Sequence, residues 1–196
     1  RLVLRFATWV ATAAVLTALL VASLSLGVLA TAPQDQTVTN VTDKAFTITW
    51  TTSVAEEGHV DWGETPSLGN AAYDERGSNT LDDTHQITIP HLRPGTTYFY
   101  DIVSGSVTYN NGGAHYQAST APTLVGPASD LVYGQVVKPD GATAAPGTIV
   151  YLRVQDKDGK GSPGSSQVYS TLVEASGYWS MNLGTLRTGD LSDWFA

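Results

Sequence analysis

Phe46-Thr47-Ile48-Thr49-Trp50 and Leu92-Arg93-Pro94-Gly95-Thr96-Thr97-Tyr98 are the stretches whose reading decides the fold. In the first, large apolar side chains alternate with threonines, and period 2 places Phe46, Ile48 and Trp50 on one buried face of a strand. The second joins an apolar Leu to a Pro-Gly turn and then to a Tyr that opens the next strand. In a two-sheet sandwich such a Tyr crosses the corner and hydrogen-bonds backbone a few residues upstream. Working outward, further strands are expected at Gly58 to Trp62, His85 to Ile89, Thr97 to Val103 and Tyr116 to Ser119, with turn residues between them.

The order of these motifs carries a resemblance. Val41-Thr42, Ile48-Thr49-Trp50-Thr51-Thr52, Gly58-His59-Val60-Asp61-Trp62-Gly63, His85-Gln86-Ile87-Thr88-Ile89 and Leu92-x-Pro94-Gly95-Thr96-Thr97-Tyr98-x-Tyr100 follow one another as in a fibronectin type III domain. They resemble the variety that precedes the metallophosphatase domain of purple acid phosphatases. The resemblance covers residues 34–121 and implies a supporting sandwich, since in those enzymes the chemistry belongs to the following domain.

Residues 122–130 (PTLVGPASD) read as a linker. Beyond it stand Leu131 to Val137, a Lys138-Pro139-Asp140-Gly141 turn, Thr148 to Val154, and the aromatic strand Gly177-Tyr178-Trp179-Ser180-Met181-Asn182-Leu183. This arrangement resembles carboxypeptidase-regulatory-like, prealbumin-type sandwiches. Residues 131–196 supply four or five strands where such a sandwich uses about seven, so this module is expected to be partial, with further sequence or another chain completing it.

At the front, Phe6 to Ala30 is a run of 25 residues without a charge. At about 1.5 Å per helical residue it is long enough to cross a hydrocarbon core of roughly 30 Å. Arg1 and Arg5 precede it, which by the positive-inside rule puts the N-terminus in the cytoplasm and the β modules outside. A secretory signal peptide ending near Ala30-Thr31-Ala32 is the alternative, but the run exceeds the roughly 7 to 15 apolar residues of a signal core. Residues 1–32 are therefore read as a transmembrane signal anchor whose many small side chains suit helix packing. The expected fold class is mainly β: one membrane helix, a fibronectin type III-like sandwich, and a partial prealbumin-like sandwich.

The chain has 18 acidic and 10 basic residues, a net charge of −8, and no cysteine. Such a balance disfavours nucleic acid and anionic lipid head groups as partners. Without thiols there is neither a disulfide staple nor a thiolate nucleophile, so the fold rests on its hydrophobic cores.

Candidate chemistry is sparse. Asp82-Asp83-Thr84-His85 is the densest set of oxygen and imidazole ligands, yet strand alternation sets Asp82 apart from Asp83 and His85. In the family resembled, a His at the start of this strand is structural. Asp156-Lys157-Asp158-Gly159 opens like a calcium loop, but Val168 falls where the closing Glu belongs, and the same residues suit a hairpin turn. No Ser-His-Asp arrangement or Gly-x-Ser-x-Gly elbow is legible. No catalytic residue, metal ligand or cofactor is assigned.

What remains are aromatics near turns and edges, namely Trp62, Tyr73, Tyr109 and Tyr116, together with Asn111 in Tyr109-Asn110-Asn111-Gly112-Gly113, read as a hairpin tip. With Glu64 to Ser67 these form the expected contact surface. The expected function is a non-enzymatic, membrane-anchored, extracytoplasmic interaction or scaffold protein, an accessory subunit of an envelope complex. Its expected partners are other membrane subunits or copies of itself, the bilayer through residues 6–30, and carbohydrate. A pilin-like filament subunit and the supporting front of a metallophosphatase-like enzyme are the alternatives.

Overall fold

The computed structural model describes residues 31–126 and 129–196. The membrane-anchor expectation for residues 1–32 lies, apart from its last two residues, outside the described part of the chain. Among the described residues no helix is long and apolar enough to cross a membrane.

The first module is built from β1 (Gln34–Thr39), β2 (Phe46–Gly63), β3 (Asn70–Tyr73), β4 (Leu81–Ile89), β5 (Thr97–Ser104), β6 (Val107–Tyr109) and β7 (Tyr116–Ser119). The strands expected around Trp50 and from Gly58 are one continuous strand, β2. Its first half pairs with β1 and β4, its second half with β3 and β5, so β2 passes from one sheet of the sandwich to the other. The register against β4 slips between Thr51 and Glu56, and there the strand bends. Gly58 makes the crossing feasible, because a Cβ on it would stand 2.6 Å from the Trp50 ring and 2.9 Å from His85 Nδ1.

The alternation read from the sequence has its inner face where expected. Phe46, Ile48, Trp50, Val60, Ile87, Ile89, Tyr98, Tyr100 and Ile102 fill the space between the sheets. Each such side chain is worth roughly 1.5 to 3 kcal/mol of apolar burial. The Tyr corner also forms, with the Arg93 backbone N–H donating to the Tyr98 hydroxyl at 2.9 Å.

The segment Tyr109 to Gly113 requires a correction. It is not a hairpin tip, because β6 and β7 both pair with β5 and lie along the same edge. Tyr109 stands opposite Ile102 and Tyr116 opposite Tyr100, so residues 110–115 bulge out of a single edge strand. His115 Nδ1 returns the excursion to the sheet at 2.8 Å from Asp101 Oδ1. That contact gives the buried Asp101 a partner, where Asp61 stands directly across from it on β2.

The second module has β8 (Leu131–Gln135) paired with β11 (Tyr178–Asn182), and β9 (Ile149–Leu152) paired with β10 (Tyr169–Leu172). Tyr169, Met181 and Leu186 are its buried centre, with Val132, Leu152, Trp179 and Phe195 packed on them. Gly134 leaves room for the Trp179 ring, which a Cβ would approach to 2.7 Å. Asp156 turns its carboxylate inward, accepting from the Asp158 and Gly159 N–H groups at 3.0 and 2.8 Å, as a hairpin turn requires.

The two modules share a polar seam. The Asn40 side chain pairs with the backbone of Ser170, donating to its carbonyl at 2.9 Å and accepting from its N–H at 2.9 Å. Gln167 does the reverse, accepting from Val41 N–H at 2.9 Å and donating to Val41 O at 3.1 Å. The Thr39 and Ser170 hydroxyls meet at 2.6 Å, Tyr151 OH donates to Thr49 Oγ1 at 2.8 Å, and Thr84 Oγ1 donates to Gly147 O at 2.8 Å. The alternation around Trp50 implies one buried face, yet Thr39, Thr47 and Thr49 on the other face are also fully buried. Hydroxyls spaced along a sheet satisfy the strands laid against them, so a polar face is buried with few lone polar groups.

Candidate functional site

At the end of the first sandwich where β2 meets β3 and β4 meets β5, two loops border an open cleft of about 500 Å³. Trp62 and Tyr98 come from strands. Glu64, Thr65 and Leu68 come from the β2–β3 loop, Asn70 from the start of β3, and His91 and Arg93 from the β4–β5 loop.

Local sequence explains each wall. Gly63 ends β2 with the Leu68 carbonyl folded onto it, and a Cβ on Gly63 would lie 2.4 Å from that oxygen. Pro66 sits inside a turn closed by the Leu68 N–H donating to Thr65 O at 3.0 Å, with proline's fixed φ suiting the turn. On the other side, Pro90 ends β4 and the Leu92 N–H donates to Lys44 O at 2.9 Å, which swings the chain back over the core. The Trp62 ring is half-buried and meets Tyr98 edge-on, centroids 5.8 Å apart at 66°. Arg93 Nη1 reaches Glu64 Oε2 at 3.1 Å and bridges the two loops. Both groups are well exposed, so this ion pair contributes little stability and serves chiefly to set loop spacing.

Of the seven non-glycine residues with left-handed φ among the described residues, two lie at this cleft. Leu68 has φ 54° and His91 φ 61°, left-handed values that cost a non-glycine residue of order 1 kcal/mol or more, and a Leu there is unusual.

The residues singled out from the sequence fall in different places. Trp62 lines the cleft, and Glu64 with Thr65 forms one of its walls. Tyr73 is exposed on β3, 5.6 Å from the His59 ring, with its side chain away from the core. Tyr109 and Tyr116 are half-buried rather than free, packed on the first core, and Tyr116 stacks on Tyr100 at 5.4 Å. Asn111 is exposed at the excursion, in a short 3₁₀ turn with φ 52°. The structure thus brings Trp62 and the Glu64 loop together and leaves Tyr73, Tyr109, Asn111 and Tyr116 elsewhere. Leu68, Asn70 and His91 were not singled out. Leu68 and Asn70 come from one side and His91 from a second loop whose approach no spacing encodes, and the nearest local signals were the Thr65-Pro66 and Pro94-Gly95 turns.

The Asp82 to His85 segment is part of a structural network. Arg76 grips the Asp74 carboxylate through Nε at 2.9 Å, Nη2 at 3.0 Å and its own backbone N–H at 3.0 Å, and also reaches Asp82. Burial by itself would raise the Asp74 carboxyl, but the neighbouring His85 and Arg76 hold it well below the usual carboxylate range. His85 Nδ1 is 3.5 Å away, long for a hydrogen bond, so the Arg76 fork is the main cause. His85 itself is fully buried and stacked on Trp50, ring centroids 4.7 Å apart. Among the described residues no three His, Asp or Glu side chains converge as metal ligands. In the core, burial pushes the Tyr100 hydroxyl up to about 12.

A search of curated proteins finds no match to the chain. The sandwich just described, residues 31–123 and a little under half of the chain, matches the family model of the fibronectin type III domain.

Proposed function

We propose that this protein is a non-enzymatic interaction or scaffold protein, anchored in the cytoplasmic membrane through residues 6–30 and carrying its β modules on the outer side as an accessory subunit of a membrane or envelope complex. The observation that carries the reading is the union of a fibronectin type III sandwich with a second β module through a buried polar seam. Interaction modules of this fold present loops from a rigid frame, and the seam fixes where those loops point. The 25-residue apolar run and the acidic remainder suit the anchor and the outward placement. The purple-acid-phosphatase variety of the first module, and a prealbumin-type plan for the second, remain parts of this reading.

Mild-detergent extraction from native membranes, followed by native mass measurement and cross-linking, tests it. The expected result is a complex well above the chain's own 20.7 kDa containing other membrane subunits. A homopolymer would favour the filament alternative, and a monodisperse monomer would overturn the scaffold reading.

A further inference from the structure

We infer that the cleft between the β2–β3 and β4–β5 loops is a binding site for an uncharged sugar ring, stacked on Trp62 and hydrogen-bonded by Asn70, His91, Glu64 and Arg93. This rests on the interaction reading above and names the ligand class of one site within it.

The chemistry of the walls selects the ligand. The apolar C–H face of a pyranose stacks on an aromatic ring, and its adjacent equatorial hydroxyls match planar groups that offer two polar atoms at once. Carboxamide, carboxylate and guanidinium groups of this kind stand here around a tryptophan, with the His91 imidazole as a single hydrogen-bonding group. The Trp62 ring is held by Tyr98 before any ligand arrives, so little side-chain freedom is lost on stacking. The volume, about 500 Å³, accommodates roughly one or two rings on the scale of small-molecule sites.

Charge points the same way. Glu64 and Arg93 neutralise each other at 3.1 Å, which leaves the rim without a net charge from that pair on a protein of net charge −8. An anionic ligand would be repelled by the surrounding field, and a cationic one would have to compete with Arg93 for Glu64. A neutral ligand pays neither cost.

The backbone at the cleft offers a way to probe the site. Leu68 and His91 stand on opposite walls, and both hold left-handed φ angles that glycine would adopt freely. Replacing His91 by glycine therefore relieves backbone strain while removing the imidazole, which separates a binding role of His91 from a structural one.

The test uses the full-length chain in a zwitterionic detergent, because glycosidic detergents would compete for the cleft. Chitotriose, cellotriose, maltotriose and mannotriose are titrated separately, with calorimetry and tryptophan fluorescence as readouts. At least one should saturate below about 10 mM, the weak end of specific small-ligand affinity. Trp62→Phe and Asn70→Ala should each weaken that binding about tenfold, as loss of one good contact does, with Asn70→Ala leaving the melting temperature unchanged. His91→Gly should weaken binding while holding or raising the melting temperature, which a purely structural role for His91 would not produce. The inference is overturned if none of the four saccharides binds, or if binding persists undiminished in all three variants. A protein partner recovered on extraction without saccharide binding would sink the sugar site alone, whereas saccharide binding by a monomer would sink the subunit reading alone.

Discussion

Replacing Asn40 by Ala should break the seam between the modules. Asn40 exchanges two hydrogen bonds of 2.9 Å with the Ser170 backbone, and Ser170 is buried at 5% exposure, so water replaces neither partner cheaply. Leaving a buried N–H and a buried carbonyl unpaired costs about 1 to 3 kcal/mol each. Asn40 also has φ 51°, where Ala is less tolerant than Asn by roughly 1 kcal/mol. Allowing for partial relaxation, the total is on the order of 3 to 5 kcal/mol. Asn40→Gly removes the same bonds without the φ penalty, so its cost should be smaller by about 1 kcal/mol, against which glycine's greater unfolded-state entropy partly counts. The assay is urea denaturation of the full chain followed by far-ultraviolet circular dichroism and tryptophan fluorescence. Wild type should unfold with coincident transitions, and Asn40→Ala should split them. If Asn40→Ala unfolds as wild type does within about 0.5 kcal/mol, with its transitions still coincident, the seam does not join the modules and the reasoning fails.

The Tyr corner and the stacked core give a second pair: Tyr98→Phe keeps the ring but strands the Arg93 N–H, costing about 1 to 3 kcal/mol. Trp50→Ala empties a fully buried site for about 3 to 5 kcal/mol, and denaturant midpoints matching wild type for both would contradict the assigned core. For pH, the Asp74 carboxyl is depressed in the folded state below its ordinary 3.8, so its contribution is present above that value and is lost as pH falls through it toward the folded value. Wild type should therefore lose part of its stability advantage over Asp74→Asn between pH 5 and pH 2, and a constant difference across that range would show that Asp74 is not held by Arg76. The Tyr100 hydroxyl is raised, so the opposite sign holds. Its contribution is complete below pH 10.0 and is lost as pH rises toward about 12, which ultraviolet titration of tyrosinate should register as one late-ionising residue absent from Tyr100→Phe.

Much of the first module was legible in the chain. Alternation at Phe46, Ile48 and Trp50, a Pro-Gly turn and Tyr98 at a strand start are local signals, and local signals fix which face of a strand is apolar and where the chain turns. The aromatic strand around Trp179 and the turn at Asp140 and Gly141 were legible for the same reason.

Tertiary structure decided what those signals leave open. Period 2 states that Thr47 and Thr49 share a face but not what covers it. A hydroxyl-bearing face is stable in water or against another polar face, and only the docking of Tyr151 and Ser170 chose the second. Asn110-Asn111-Gly112-Gly113 supplies the positive φ angles of a turn, but whether the strands on either side pair with each other or with a common neighbour depends on β5, which the turn residues do not sense. Likewise Trp62 was legible as an aromatic near a turn, whereas the cleft it floors is made by loops more than twenty residues apart in sequence, brought together by the closure of the sandwich. The sequence by itself determined the strands, their apolar faces and the corner. The seam, the excursion and the cleft were decided by contacts between residues far apart along the chain, where partner choice depends on shape and hydrogen-bond satisfaction that no local pattern records.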